Sequence, residues 1–181
     1  CGHKWADLSE GSYGVSLMND CKYGYSMKDR VMTQTLIKSG TEPNLTADQE
    51  EHSFTYSLYP HAGTWREAGT VQEALNLNVP AKAVFGAAEK DRMEFLSADK
   101  RNVVLETVKK AEDGDGMIVR LYEVENARTN VTLHCAESIL SAEETNLLEQ
   151  PADGAIDVKE NEISLTIKPY EIRTIRIRTE K

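Results

Sequence analysis

The feature that most restricts the fold is a repeated apolar/polar alternation of period two in the second half of the chain. Val103 to Lys109 alternates and is β-branched. Met117, Val119 and Leu121 fall on one side of the next run, and Val131, Leu133 and Cys135 on one side of another. Ile163, Leu165 and Ile167 alternate with Ser164, Thr166 and Lys168, and Ile172 to Arg178 closes the chain. Successive side chains of a strand point to opposite faces, so each run predicts a half-buried strand. The run with Val131, Leu133 and Cys135 therefore turns Asn130, Thr132 and His134 outward. Turn chemistry punctuates the runs, most clearly in DGDG at 113–116. Strands recurring every ten residues or so predict an antiparallel β-sandwich. Residues 141–148 are open to two readings, a short capped helix or a strand.

The first half carries shorter versions of the same pattern. Tyr13, Val15 and Leu17 alternate with Gly14, Ser16 and Met18, and the turn formers Asn19 and Asp20 follow. Tyr23, Tyr25 and Met27 begin a second strand, and Val31 to Ser39 forms a third, giving a meander of hairpins. Residues 40–51 are a polar loop. Alternation resumes over 52–59, with Phe54, Tyr56 and Leu58 as the inward face. Thr64 and Glu67 then make a capping-box pattern. Trp65, Ala68, Val71 and Leu75 follow at helical spacing, predicting about three turns. NVP at 78–80 ends that helix and marks the main boundary, between 1–79 and 80–181. The expectation is an all-β chain of antiparallel β-sandwich pieces with one short helix between them.

Charge and composition exclude several function classes. The net charge is −9 over 181 residues. Before Pro80 there are 6 basic and 10 acidic residues, and from it onward 15 and 20, so neither half is cationic. Nucleic acid is not an expected partner, because phosphate binding needs a positive surface. No apolar run reaches the roughly 18 residues of a membrane helix, so no membrane partner is expected. No secretion signal opens the chain. The location expected is the cytoplasm, and the absence of an initiator Met leads us to expect a segment of a longer polypeptide.

Most catalytic signatures are missing. Cys1, Cys21 and Cys135 are odd in number and lack CxxC spacing, which supports neither a disulfide framework nor a zinc knuckle. The four histidines have no HxH or HxxxH spacing. His134 and Cys135 are adjacent strand residues and face opposite ways. Phosphate loops, nucleophile elbows and HExxH are absent. Acidic pairs are common by chance among 30 acidic residues, and none stands out as a glycosidase pair. What remains is the stretch 3–25 together with 54–61. Trp5, Tyr23 and Tyr56 offer flat faces, while Asp7, Asn19, Asp20, Lys22, His52 and His61 offer polar groups. Sugars are held by that mixture, aromatic planes against C–H groups and polar side chains to hydroxyls. The same nine residues would equally close turns and pack a domain interface. No catalytic or metal-ligating residue emerges.

The motifs in these stretches resemble a known family. WADLSE at 5–10, YGV at 13–15 and LMNDCKYG at 17–24 look like the C-terminal region of α-mannosidases of glycoside hydrolase family 38. They are most similar to the cytosolic and vacuolar-type branch with its bacterial relatives. AD at 47–48, HSFTYSLYPH at 52–61 and Gly63 are similar to that family's AD-x-GxHxFTYxLxPHxG run, although Glu50 and Glu51 stand near an expected glycine. ALNLNVP at 74–80 and PYEIRTI at 169–175 complete the resemblance, which spans nearly the whole chain. It implies a metal-dependent, retaining exo-α-mannosidase whose catalytic domain holds zinc or another divalent metal through His and Asp and uses an Asp nucleophile. None of those ligands has a matching motif here, so no cofactor is expected within these residues. By resemblance, 1–79 would be the C-terminal part of the large β-sandwich domain and 80–181 the small terminal one. The implied role is to support the catalytic domain of the same polypeptide and shape the aglycone side of its pocket. Mannosides or oligosaccharides would be the ligands, with self-association of the segment as a further expectation. The alternative reading is an autonomous carbohydrate-binding module.

Overall fold

The computed structural model describes residues 1–87 and 90–180. The chain divides into two compact units, Cys1–Phe85 and Gly86–Lys181.

The first unit is built on a three-stranded antiparallel sheet. Its strands are β1 (Trp5–Ser9), β2 (Tyr13–Asn19) and β5 (Tyr56–Ala62), in the order β1-β2-β5. A separate hairpin pairs β3 (Gly24–Lys28) with β4 (Val31–Thr35), so the third predicted strand stops four residues early. One helix, α1 (Thr70–Asn78), follows. Register puts Asp7 opposite Ser16 and Ser16 opposite Tyr59, with Gly14 beside His61. This is the face that packs on α1: Ser16 and Thr70 share a hydrogen bond of 2.8 Å, and both are fully buried.

That arrangement reverses the expected inward face of β5, while β2 buries Leu17 on one side and Ser16 and Met18 on the other. Tyr13, Tyr56 and Leu58 are 52%, 57% and 64% exposed, whereas Gly14, Ser16 and Met18 are buried. The physical reason is close approach. Small residues on the sheet and Thr70 and Ala74 on α1 let backbone layers meet where large side chains would hold them apart. The helix itself is shorter than expected. Thr64 and Glu67 do form the reciprocal capping contacts, Thr64 N to Glu67 Oε2 at 2.8 Å and Glu67 N to Thr64 Oγ1 at 3.4 Å. They close a turn that ends at Gly69 in the left-handed region, with φ 68°, and regular helix starts only afterwards.

The second unit is a β-sandwich of two four-stranded antiparallel sheets. Strands β7 (Val103–Lys110), β8 (Met117–Glu123), β10 (Ile139–Thr145) and β13 (Ile172–Thr179) form one, in the order β10-β13-β8-β7. Strands β6 (Leu96–Ala98), β9 (Thr129–Cys135), β11 (Asp157–Lys159) and β12 (Glu162–Ile167) form the other, in the order β11-β12-β9-β6. The expected apolar faces supply its core: Val119, Leu121, Leu133, Ile163, Ile167 and Ile175 are all fully buried. The open segment at 141–148 resolves into strand β10 and a turn. Residues 83–85 form no strand, and the first strand of this unit begins at Leu96.

A buried carboxylate ties the strand ends together. Glu123 accepts from the Asn102 side chain at 2.9 Å and from the backbone N–H groups of Glu125 and Tyr170 at 2.7 and 3.0 Å. Burial pushes its carboxyl up, but the Tyr170, Asn102 and Glu125 donors outweigh this and hold it below the usual range.

Candidate functional site

Five of the nine candidate residues cluster at the turn leaving β2. Asn19 is completely buried and organises it. Its Oδ1 accepts the Lys22 N–H at 2.8 Å, its carbonyl accepts Asn78 Nδ2 at 3.0 Å, and its Nδ2 donates to the Tyr25 hydroxyl. That hydroxyl donates in turn to the Leu17 carbonyl at 3.3 Å, and burial pushes the Tyr25 pKa up. Gln34 clamps the far side, donating to the Lys22 carbonyl at 2.8 Å. Asp20 accepts the Thr55 N–H at 2.9 Å and donates its own N–H to the Thr55 carbonyl at 3.2 Å. The Thr55 amide, and after it the Cys21 thiol, hold the Asp20 carboxyl below its usual value. The turn is thus locked onto the strand carrying Tyr56, which lies opposite Asn19 in register.

The groups left at the surface are an aromatic and cationic set. Lys22 Nζ lies 5.0 Å from the centroid of the Phe54 ring. Tyr23 is 40% exposed and meets His3 edge-on at 4.5 Å. Phe54 and Tyr56 stack at 6.5 Å. The turn therefore presents one ammonium and exposed ring faces, while the Asp20 carboxylate is turned inward, with Oδ2 on the Thr55 N–H and Oδ1 buried.

Asp7 and His61 belong to a different place, the sheet–helix seam. Their side chains are only 4% and 3% exposed, and His61 Nε2 lies 2.8 Å from Asp7 Oδ2. Ser16 Oγ donates to the same Oδ2 at 2.7 Å. Because its single proton is spent there, Thr70 must be the donor to Ser16. Serine, histidine and aspartate are all present, but both partners converge on one carboxylate oxygen. The imidazole is not placed to take the serine proton, so the group is a bolt under α1 and not a nucleophilic relay. Trp5 packs on Trp65 at 5.0 Å, and Arg66 covers the Trp65 ring at 4.2 Å. His52 is held by the Asp48 carbonyl at 2.9 Å, in the loop before β5. Among the described residues no three His, Cys, Asp or Glu side chains gather as metal ligands. The metal implied by the resemblance therefore has no fitting donor set in them.

An open sheet with a polar turn, followed in sequence by a closed β-sandwich, defines an all-β region. Comparison with known proteins places it. The profile of the glycosyl hydrolases family 38 C-terminal domain matches residues 1–46, and that of the family's C-terminal beta sandwich domain matches residues 102–175. The chain belongs to the C-terminal region of this family. It is 36% identical over 179 residues to alpha-mannosidase 2C1 of Mus musculus and 38% identical over 185 residues to alpha-mannosidase G of Dictyostelium discoideum. Those alignments take in 96% and 97% of the chain but only 17% of either relative's length. An alpha-mannosidase from Enterococcus faecalis V583 has the same fold over 96% of the chain, with TM-score 0.75 at 22% identity, the match covering 20% of that structure. Among the described residues no helix is long and apolar enough to cross a membrane.

Proposed function

We propose that this chain is the C-terminal β region of a cytoplasmic, metal-dependent, retaining α-mannosidase, where it supports the catalytic domain of the same polypeptide. The observation that carries the reading is a partly uncovered apolar face of the sheet β1-β2-β5, on which Leu17 and Asn19 are buried. Tyr13, Tyr56 and Leu58 lie on it, each more than half exposed. A sheet face of that character needs a partner layer. The match to a small share of longer α-mannosidases supplies one in the remainder of such a polypeptide. The locked turn 19–23 lies at one end of this face and, on this reading, shapes the aglycone side of the pocket.

The chain alone is expected to show no hydrolysis of a chromogenic α-mannoside, with or without added zinc. Steady turnover by the purified 181-residue chain would sink the proposal. In the longer enzyme, Lys22→Ala and Tyr23→Ala should raise KM for a mannobiose while leaving kcat on an aryl mannoside nearly unchanged. An unaltered KM ratio between the two substrates would remove the turn from the pocket.

A further inference from the structure

The outer face of the sheet β11-β12-β9-β6 carries a polar patch that the mannosidase reading does not use. Register places Asp157, Ser164 and Thr132 side by side across three strands, with Thr166 opposite Asn130 in the next row. All five side chains point away from the core, since the intervening Val131, Ile163 and Leu165 are buried. Thr166 Oγ1 donates to Asn130 Oδ1 at 2.8 Å, and Thr132 and Ser164 meet at 3.4 Å. These bonds fix the side chains while leaving the Asn130 amide protons and several hydroxyl lone pairs free.

What sets the patch apart from an ordinary solvated sheet face is its walls. The segment 153–157 and residues 168 and 171–173 also line it, bordering an open-sided depression of about 700 Å³. That lies within the roughly 300–1,000 Å³ of small-molecule sites. The wall is held tightly. A Cβ on Gly154 would come within 2.7 Å of Glu144 Cβ, so only glycine permits this approach. Glu144 in turn takes a forked pair of bonds from Arg173 Nε at 2.7 and 2.8 Å, and Arg173 Nη1 donates to the Thr166 carbonyl at 2.7 Å.

The chemistry of the lining selects the ligand class. Both cations are answered, Arg173 by Glu144 and Lys168 by Glu171 at 3.8 Å. Asp153 and Asp157 remain, giving four carboxylates against two cations, a balance that repels phosphate and other anions. No aromatic ring lines the cavity, so a flat aromatic ligand has nothing to stack on, and a sugar here would be held through its hydroxyls without the ring stacking open to the stretches 3–25 and 54–61. Among the described residues there is no metal-ligand cluster to hold a cation. Hydroxyls, an amide and carboxylate acceptors suit a neutral, polyhydroxylated molecule. We propose that this cavity binds a neutral glycan residue, at a site on the terminal sandwich separate from the turn 19–23.

The test is a titration of the ¹⁵N-labelled chain with mannobiose, followed by amide chemical shifts, with inorganic phosphate and calcium chloride as comparison probes. Saturable shifts are expected at 130–132, 153–157 and 164–168, with neither comparison probe moving them. Asn130→Ala and Asp157→Asn should each weaken the titration about tenfold, as loss of one good hydrogen bond does. Both positions are exposed, and the amide spectrum itself reports whether each variant is folded. Ser164→Ala is a third variant should either fail. No saturable shift, shifts confined to residues 19–23, or a response to phosphate or calcium in place of the sugar would each overturn the proposal. Because the readout is binding by this chain, its failure leaves the mannosidase reading standing, and turnover by the chain would sink that reading without touching this one.

Discussion

At the scale of single residues, the first unit depends on side chains that are small. A Cβ on Gly14 would sit 2.4 Å from His61 Cε1 and 2.5 Å from Ser9 Cβ, inside the bolt formed by Asp7, Ser16 and His61. Gly14→Ala is therefore expected to destabilise the chain by about 1–3 kcal/mol, the usual cost of overpacking. Gly11→Ala, where nothing lies within 4 Å, should be near neutral. Urea unfolding of the two variants checks this, and equal midpoints would show that the seam yields easily. The same smallness hid the seam from the sequence. Gly14, Ser16 and Thr70 carry no hydrophobic signal, so the alternation took Tyr56 and Leu58 as the inward face of β5. A rule based on apolarity fails where two backbone layers meet through small and hydroxyl-bearing side chains. Asn19 fared better, because an Asn-Asp pair after a strand marks a turn whatever surrounds it. Nothing in the sequence announced that Asn19 would be buried, since its partners Tyr25 and Asn78 lie 6 and 59 residues away.

Among elements, the strands of the second unit were legible because each spends one face on a shared core, and period two then follows from geometry. The helix was legible in type but not in start. Thr64 and Glu67 make the contacts of a capping box around a turn, and the apolar spacing of Trp65, Ala68 and Val71 is satisfied by turn and helix alike. Gly69, with its positive φ, separates them. What the pattern missed in the second unit is the polar joint at Glu123, which fastens Asn102, the segment after β8 and the turn before β13. Its carboxyl is held below the usual range, so it contributes stability above the unfolded-state value of about 4.3, and that contribution is lost as pH falls through the lower folded value. Unfolding midpoints should therefore hold from pH 7 to about 5 and drop below about pH 4. Glu123→Gln should cost about 1–3 kcal/mol at pH 7, since buried donors lose a charged acceptor. It should also flatten the acid slope, without abolishing it. Asp113, lowered by the Asp115 amide and then by Arg176, titrates in the same direction. A variant with an unchanged slope would remove Glu123 as a source of acid sensitivity.

At the scale of the whole molecule, the two units differ in how completely each is covered. The second encloses its apolar residues between two sheets, whereas the first covers one face of its sheet with α1 and, on the other, buries Leu17 and Asn19 but leaves Tyr13, Tyr56 and Leu58 exposed. Exposed apolar surface beside the open edge of β5 has a free-energy cost in water, and association relieves it. If a partner layer of the longer polypeptide is what normally lies there, the isolated chain should substitute a second copy of itself. Sedimentation equilibrium is then expected to give a weight-average mass rising above the 20.2 kDa of one chain as concentration increases. Leu58→Lys places an ammonium in the middle of the face while leaving the ladder between β2 and β5 intact. It should return the mass to that of a monomer with little change in unfolding midpoint. A chain that stays monomeric across the concentration range would mean that water tolerates this face, and the argument that it awaits another domain would lose its footing. A Leu58→Lys chain that still associates would instead move the contact elsewhere, to the exposed Val84 and Phe85 near the end of the first unit.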